Sequence, residues 1–392
     1  MNNDRIVVLD GARTPIGSFG GAFKDVPGFE LGATAVRAAL ERSGVSGDDV
    51  EEVVMGCIGQ VGPDAYNARR VAVAAGLPAN VPAYTVNRLC GSGLQAVWSA
   101  AMEMRWNDLD LTVAGGDESM TRMPFYDFGA RTGYRLGDRT LVDGTVMMLT
   151  DPFHGIHMGV TAENVAEKYG VSRAEQDEFA VESQRRAATP EAKAAFAEEI
   201  VEVTVGGGTP VVVTEDEHPK PGTTLERLSS LRPAFADGGT VTAGNASGIN
   251  DGAAALVLAR ETAVAERGLQ ALVSLEAVTT AAMEPELMGY APTLALRALF
   301  ERTGTAPSDI GIIELNEAFA SQAVAVVRDA GLDLEKVNPY GGAIALGHPV
   351  GATGANLTLR VARDMVRRDL ELGIVTMCIG GGQALAALFR RA

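Results

Sequence analysis

Two separated segments of the chain follow one plan, and that repeat limits what it can fold into more than any other feature. The first runs DDVEEVVMGCI, a lead-in and an apolar strand, then YTVNR, a turn at Cys90, a helix, and the strand LDLTVAGG. The second runs SDIGIIELNEAF, then NPYGGAIALGHPVGATGAN, another helix, and the strand LGIVTMCIGGG. In the first helix Leu94, Val97, Trp98, Ala101 and Met102 share one helical face, and in the second Leu357, Val361 and Met365 recur every fourth position. Strand, helix and strand in alternation predict an α/β fold of layered sheets, and the repetition predicts two similar halves about a pseudo-twofold.

The stretch from 119 to 249 has a different composition and reads as an insertion leaving and re-entering the first half. The buried strand GAAALVLA marks the re-entry. Within it, Thr161 ahead of Glu163 and Asn164 signals a helix start, and Ser172 with Glu175 forms a capping box. The segments expected are 1–118 with 250–270 as the first half, 119–249 as the inserted loop domain and 271–392 as the second half.

Composition removes several function classes. The chain has 392 residues, 33 basic against 50 acidic side chains and a net charge of −17, which argues against a nucleic-acid partner. No apolar run approaches the length of a membrane span, so no membrane association is expected. MNNDRIVVLDGARTP holds no basic stretch followed by an apolar run, so no secretory signal is expected. Three widely spaced cysteines, Cys57, Cys90 and Cys378, give no metal pattern and suit a reducing cytoplasm.

In α/β folds ligands bind beyond the carboxyl ends of strands, where loops meet helix starts. Cys90, His348 and Cys378 all fall at such places. A thiolate at Cys90 would be favoured by the helix start, and the N–H groups of Gly91 and Gly93 could hold an oxyanion. Cys90 could equally be a small packing residue in a tight turn. His348 lies among glycines in GGAIALGHPVGATGAN, a poor packing environment and a good one for a ligand-facing loop. His157 precedes a helix and fits a structural role or a site role equally, while His154 and His218 fall in polar loops and read as surface residues. Cys378, at a strand end against Gly380 to Gly382, reads as core or catalyst, and Cys57 reads as core. Asn316 and Glu317 end another apolar strand and suit a satisfied buried network. No lysine and serine follow the glycines as a phosphate loop requires, and no G-x-G-x-x-G follows the first strand. The residues support acyl transfer by a cysteine nucleophile with a histidine base, without metal or redox cofactor.

The blocks NRLCGSGL, GGDESM, HMGVTAENVA, TVTAGNASGINDGAAAL, NEAFA, GGAIALGHPVGATGA and CIGGGQ, in that order, resemble the thiolase family across essentially the whole chain. The resemblance implies a five-layered α-β-α-β-α core of two repeated halves with the insertion as a CoA-binding loop domain. It implies that Cys90 takes the acyl group as a thioester while His348 accepts its proton, and that Cys378 moves the α-proton of the second substrate. Asn316 would hold a water that forms one oxyanion hole with His348, and the N–H groups of Cys90 and Gly380 would form the other. His157, Met158, Ala243, Ser247, Met288, Ala318 and Phe319 match positions lining the substrate tunnel. Lys220 and Arg227 stand in the loop expected to bind CoA phosphates, where many short-chain members carry arginine and serine. NPYGG places Tyr340 beside the catalytic loop. CoA and acyl-CoA are then substrates, with no metal and no prosthetic group, and a homodimer or homotetramer is expected, tetramers forming through a loop near 120 to 140. A decarboxylating ketosynthase or a non-catalytic acyl-CoA binder are the alternatives. The cysteine in CIGGG disfavours the first, and the presence of Cys90, His348 and Cys378 together disfavours the second.

Overall fold

A computed structural model describes residues 4–60, 62–206 and 209–392. The repeat is longer than the two segments that announce it. In the first half the strand Ile6–Arg13, the helix Gly28–Ser43, a 3-10 turn at Gly47–Asp49, the strand Glu52–Gly56, the helix Ser92–Asn107 and the strands Leu111–Ser119 and Asn250–Arg260 follow in order. The second half matches them with Val273–Ala282, Ala291–Thr303, Pro307–Asp309, Ile312–Leu315, Thr353–Arg367, Leu372–Ile379 and Gln383–Arg391. The pairings match as well. Each half has a matching parallel pair, Glu52–Gly56 with Leu111–Ser119 and Ile312–Leu315 with Leu372–Ile379, followed by two antiparallel ones, and the first half adds the edge strand Ala83–Val86 parallel to Glu52–Gly56. Even the register irregularities correspond, between Val8 and Asp10 in one half and between Leu275 and Ala277 in the other. Where the second half turns from Ile379 to Gln383, the first half leaves its sheet at Ser119 and returns at Asn250.

Among the described residues the two half-sheets join edge to edge through two residue pairs, Val7 with Ser274 and Val8 with Val273. Beyond that seam they diverge and enclose the two helices Ser92–Asn107 and Thr353–Arg367. Three apolar clusters define the layers. One lies between the sheets around these central helices and holds Leu94, Val97, Leu357, Val361, Val375 and Met377. The second lies under the outer helices of the first half and the third under those of the second half. The result is the five-layered α-β-α-β-α stack.

The central helices meet at their first turns. A side chain on Gly93 would press into the backbone of Ala355 and Gly351, and one on Gly354 would collide with the backbone of Leu94. Glycine at these positions lets two backbones touch. The helix Thr353–Arg367 is buried nearly all round, Leu357, Val361 and Met365 included. In the helix Ser92–Asn107, Leu94, Val97 and Ala101 are buried as their spacing predicts, but Met102 is 45% exposed because Ala96, Ala100 and Met104 complete the inward face instead.

Two helix starts in the insertion test the capping signals. The box at Ser172 and Glu175 is formed. The other helix runs Met158–Tyr169 and is capped by the His157 side chain, so it begins ahead of Thr161. The Thr161 hydroxyl bonds instead to the Met158 carbonyl, one turn back.

A buried ion cluster fastens the insertion to both halves. Arg13 from the first strand reaches Glu199 and Asp216, each at 2.7 Å, and Arg360 from the second central helix reaches Glu199 at 3.3 Å and Glu314 at 3.6 Å. The Phe196 ring lies against both guanidinium groups. Burial alone would push the Glu199 carboxyl up, but Arg360 and Arg13 outweigh it and hold it below its ordinary value. Without Glu199, Arg13 would keep only Asp216 and Arg360 only the more distant Glu314, leaving buried charge poorly compensated. Glu199→Ala should therefore cost about 3–5 kcal/mol in urea unfolding. An unchanged midpoint would mean that other groups compensate the two arginines.

Candidate active site

Cys90 stands at the top of a turn from Arg88 to Ser92 that ends an edge strand and starts the first central helix. The Ser92 hydroxyl accepts from the Arg88 N–H at 2.8 Å and donates to the Leu89 carbonyl at 2.7 Å. Leu89 takes φ +48°, a left-handed conformation costly for a branched side chain, and so presents Cys90 away from the core. Cys90 is partly open to a cavity of about 350 Å³. The glycines that follow do not face a ligand. The Gly91 N–H donates to the Arg88 carbonyl and its Cα packs against Ile379, while Gly93 serves the helix contact. The N–H groups that act on the Cys90 sulfur are its own and that of Gly380.

His348 precedes the second central helix as Cys90 precedes the first. Gly347, at φ +100°, makes the turn, and the His348 N–H donates to Asn250 Oδ1 at 2.9 Å. Its Nδ1 lies 2.6 Å from Thr353 Oγ1 and its Nε2 lies 3.5 Å from Asn316 Nδ2. The loop is tied down by Glu118, which accepts from the N–H groups of Gly351, Ile58 and Gly59. Cys378, next to last in its strand, is fully buried among Met288, Ala318 and Phe319. Gly381 and Gly382, both at φ +81°, then turn the chain back.

The cavity is lined by Cys90, His348 and Gly380, and also by the predicted His157, Met158, Ala243, Ser247, Met288, Ala318 and Phe319. Asn316 and Cys378 lie behind this wall, Asn316 through His348 and Cys378 through the cluster of Met288, Ala318 and Phe319. Lys220 and Arg227 are exposed on the insertion and do not line it. Tyr340 packs edge-on against Phe196 in a separate apolar cluster, outside the cavity. His154 is partly exposed and bonded to Asp151, whereas His218 is half-buried with its ring against Gly248, so its polar-loop sequence misplaces it at the surface. Glu317 is satisfied by Ser183, Asn338 and the Ile344 N–H, but Asn316 keeps a buried Oδ1 without a partner among the described residues. The two residues thus divide, one holding structure and one open to a site. Among the described residues no group of His, Cys, Asp and Glu is placed to hold a metal ion.

Residue patterns did not reveal Phe235, Met148, Leu149 or Thr353. Phe235 stacks on His157 at 4.9 Å and caps the cavity. Met148 and Leu149 belong to the short apolar run at 146–149, a signal too common to single out.

Burial controls the chemistry of the resting site. It pushes the Cys90 thiol up to about 11, against the N–H groups of Gly380 and Cys90 that favour the thiolate. The Cys378 thiol is pushed higher still, first by burial and then by proximity to Cys90. Burial pushes His348 down to about 4. All three are therefore uncharged at neutral pH, and the helix start does not create the thiolate that its position in sequence suggests.

The thiolase N-terminal domain model matches residues 6–262, and the thiolase C-terminal domain model matches residues 269–391. The chain belongs to the thiolase family. It is 50% identical over 389 residues to the beta-ketothiolase BktB of Cupriavidus necator, covering 98% of this chain and 99% of that one. It is 45% identical over 389 residues, with the same coverage, to the acetyl-CoA acetyltransferase of the same organism. The crystal structure of the Bacillus anthracis acetyl-CoA acetyltransferase superposes at a TM-score of 0.97 with 41% identity, covering 99% of both chains. Human mitochondrial 3-ketoacyl-CoA thiolase superposes at 0.96 with 38% identity and the same coverage.

A resting thiolase of this geometry holds Cys90 as a thiol, so alkylation by iodoacetamide should follow the thiolate fraction. The rate at Cys90, read by peptide mapping, should climb about tenfold per pH unit between pH 7 and 9.5. A plateau near pH 8 would mean that a preformed ion pair, not a neutral pair, occupies the site.

Proposed function

We propose that this thiolase is an acetyl-CoA C-acyltransferase that joins two acetyl-CoA into acetoacetyl-CoA and free CoA and, in reverse, cleaves 3-ketoacyl-CoA with CoA. The observation that carries the reading is the meeting of Cys90, His348 and Gly380 on one apolar cavity, with Cys378 against its wall.

Cys90 Sγ attacks the thioester carbon while its proton passes to His348 Nε2. The carbon–sulfur bond to CoA breaks, and CoA leaves with that proton. The N–H groups of Cys90 and Gly380 hold the carbonyl oxygen of the acyl group on Cys90. Asn316, with its free Oδ1, and His348 support the oxygen of the second thioester through a water. Cys378 enters the second half-reaction as the thiolate, having given up its proton before the second thioester binds. A thiolate with a raised pKa is a strong base, as the weakly acidic α-carbon of a thioester demands. Cys378 takes the α-proton, the enolate attacks the acetyl carbon, and the Cys90–acyl bond breaks to return Cys90, which regains a proton. No metal or prosthetic group enters this sequence.

Longer 3-ketoacyl-CoAs are a second class of substrate, favoured by a cavity wall of Met120, Met148, Met158 and Met288, side chains that adapt their shape at little cost. The loop domain 119–249 would carry CoA, with exposed Lys220 and Arg227 near its phosphates. The work of such an enzyme belongs to fatty acid metabolism in the cytoplasm, where its unpaired cysteines persist. Among the described residues no helix is long and apolar enough to cross a membrane. The exposed Phe125, Phe128 and Leu136 and the unpaired outer edge of the strand Ala83–Val86 suit a homodimer or homotetramer. Sedimentation as a monomer at micromolar concentration would oppose that assembly.

Intact mass after mixing with acetoacetyl-CoA, without free CoA, tests the function. An acetyl adduct is expected on Cys90, absent in Cys90→Ala, whose turnover should fall by at least about 10³-fold. Cys90→Ala turning over like the parent would overturn the assignment. An adduct from 3-ketohexanoyl-CoA but not from acetoacetyl-CoA would favour the longer-chain class.

A further inference from the structure

We propose that Thr353 is a positioning residue that holds His348 in the tautomer with its proton on Nδ1, leaving Nε2 as the base. The inference rests on the acyl-transfer reading for what Nε2 does, but not for where the proton sits.

The Thr353 hydroxyl has one proton and two neighbours, His348 Nδ1 at 2.6 Å and the Pro349 carbonyl oxygen at 3.0 Å. The carbonyl can only accept. It gathers the N–H groups of Ala352 and Thr353 as well, as a first-turn carbonyl does. The hydroxyl therefore donates to Pro349, its oxygen lone pair faces Nδ1, and Nδ1 must bring the second proton. A neutral imidazole carries one proton, so Nε2 keeps its lone pair. The ring is buried, and the partner of Nδ1 is the Thr353 hydroxyl. The backbone is held independently, because Asn250 accepts from the His348 N–H and donates to the Gly17 carbonyl. Asn250 thus places the loop and Thr353 orients the ring's proton. Thr353 is also the first residue of the central helix, so the contact that joins the halves positions the hydroxyl.

The test labels histidine with ¹⁵N and reads the protonated ring nitrogen of His348 at neutral pH, its signals being those absent from His348→Asn. The parent and Thr353→Ser should carry the proton on Nδ1. Thr353→Val, which keeps the shape and removes the hydroxyl, should shift it toward Nε2. Turnover of Thr353→Val should fall about 10- to 100-fold in kcat with KM for acyl-CoA held within about threefold, and Thr353→Ser should restore it. A parent with its proton on Nε2 would overturn the inference whatever the activity. So would a folded Thr353→Val with parental kcat and an unchanged tautomer. Should Thr353→Val fail to fold, the parent and serine spectra decide. A parent that shows the Nδ1 proton but forms no acyl adduct would leave Thr353's role standing and overturn the function.

Discussion

The first turns of two helices touch backbone to backbone, and the site depends on that contact. Gly93 and Gly354 carry no side chains there, so Ser92–Asn107 and Thr353–Arg367 approach more closely than packed side chains would allow. Cys90 precedes one helix and His348 the other, each by a few residues. Bringing the starts together therefore brings nucleophile and base to one cavity from positions more than 250 residues apart in the chain. The same packing buries the groups at that junction, and burial sets the charge state of Cys90 and His348.

Two electrostatic influences compete at Cys90, and burial wins. Helix starts and inward N–H groups favour an anion by a modest amount, whereas removing a thiolate from water costs more. The resting site is consequently neutral, and charge appears only when substrate brings a carbonyl to receive it. A site built this way is stable without substrate and offers a strong base once one is bound. The oxygen acceptor on His348 Nδ1 matters for the same reason, because a buried neutral imidazole in the other tautomer would present an N–H to the thiol.

The insertion needs a different fastening. Small apolar clusters seat it on the halves, Val165 and Val171 against Leu287 and Tyr290 for one, and buried charges join it as well. Glu199 bridges an arginine from each half, and Phe196 lies flat against both. Such a cluster is costly to bury, and it ties the insertion to the first strand through Arg13 and to the second central helix through Arg360. The cavity wall beside it, His157, Phe235 and Ser247 among others, comes from that insertion.

Local patterns in the chain determined a good deal on their own. Apolar runs bounded by glycine made the strands legible, the four-residue spacing showed the buried face of the helix with Leu357, and the box at Ser172 with Glu175 marked a helix start. The repeated order of elements carried the layered fold, and the blocks around Cys90, His348 and Cys378 carried the family. What those patterns could not hold is whatever depends on distance through space. Met102 reads as core and is exposed, His218 reads as exposed and is half-buried, and Tyr340 beside the catalytic loop faces away from the cavity. Gly91 and Gly93 read as substrate contacts and are packing contacts. Asn316 and Glu317 are neighbours of equal promise, yet only the fold surrounds one with partners and leaves the other open. The sequence by itself determined which residues could do chemistry and which elements carry them. Tertiary structure alone decided their protonation, their partners and their company, because desolvation and hydrogen bonding are properties of the packed surroundings that no single segment contains.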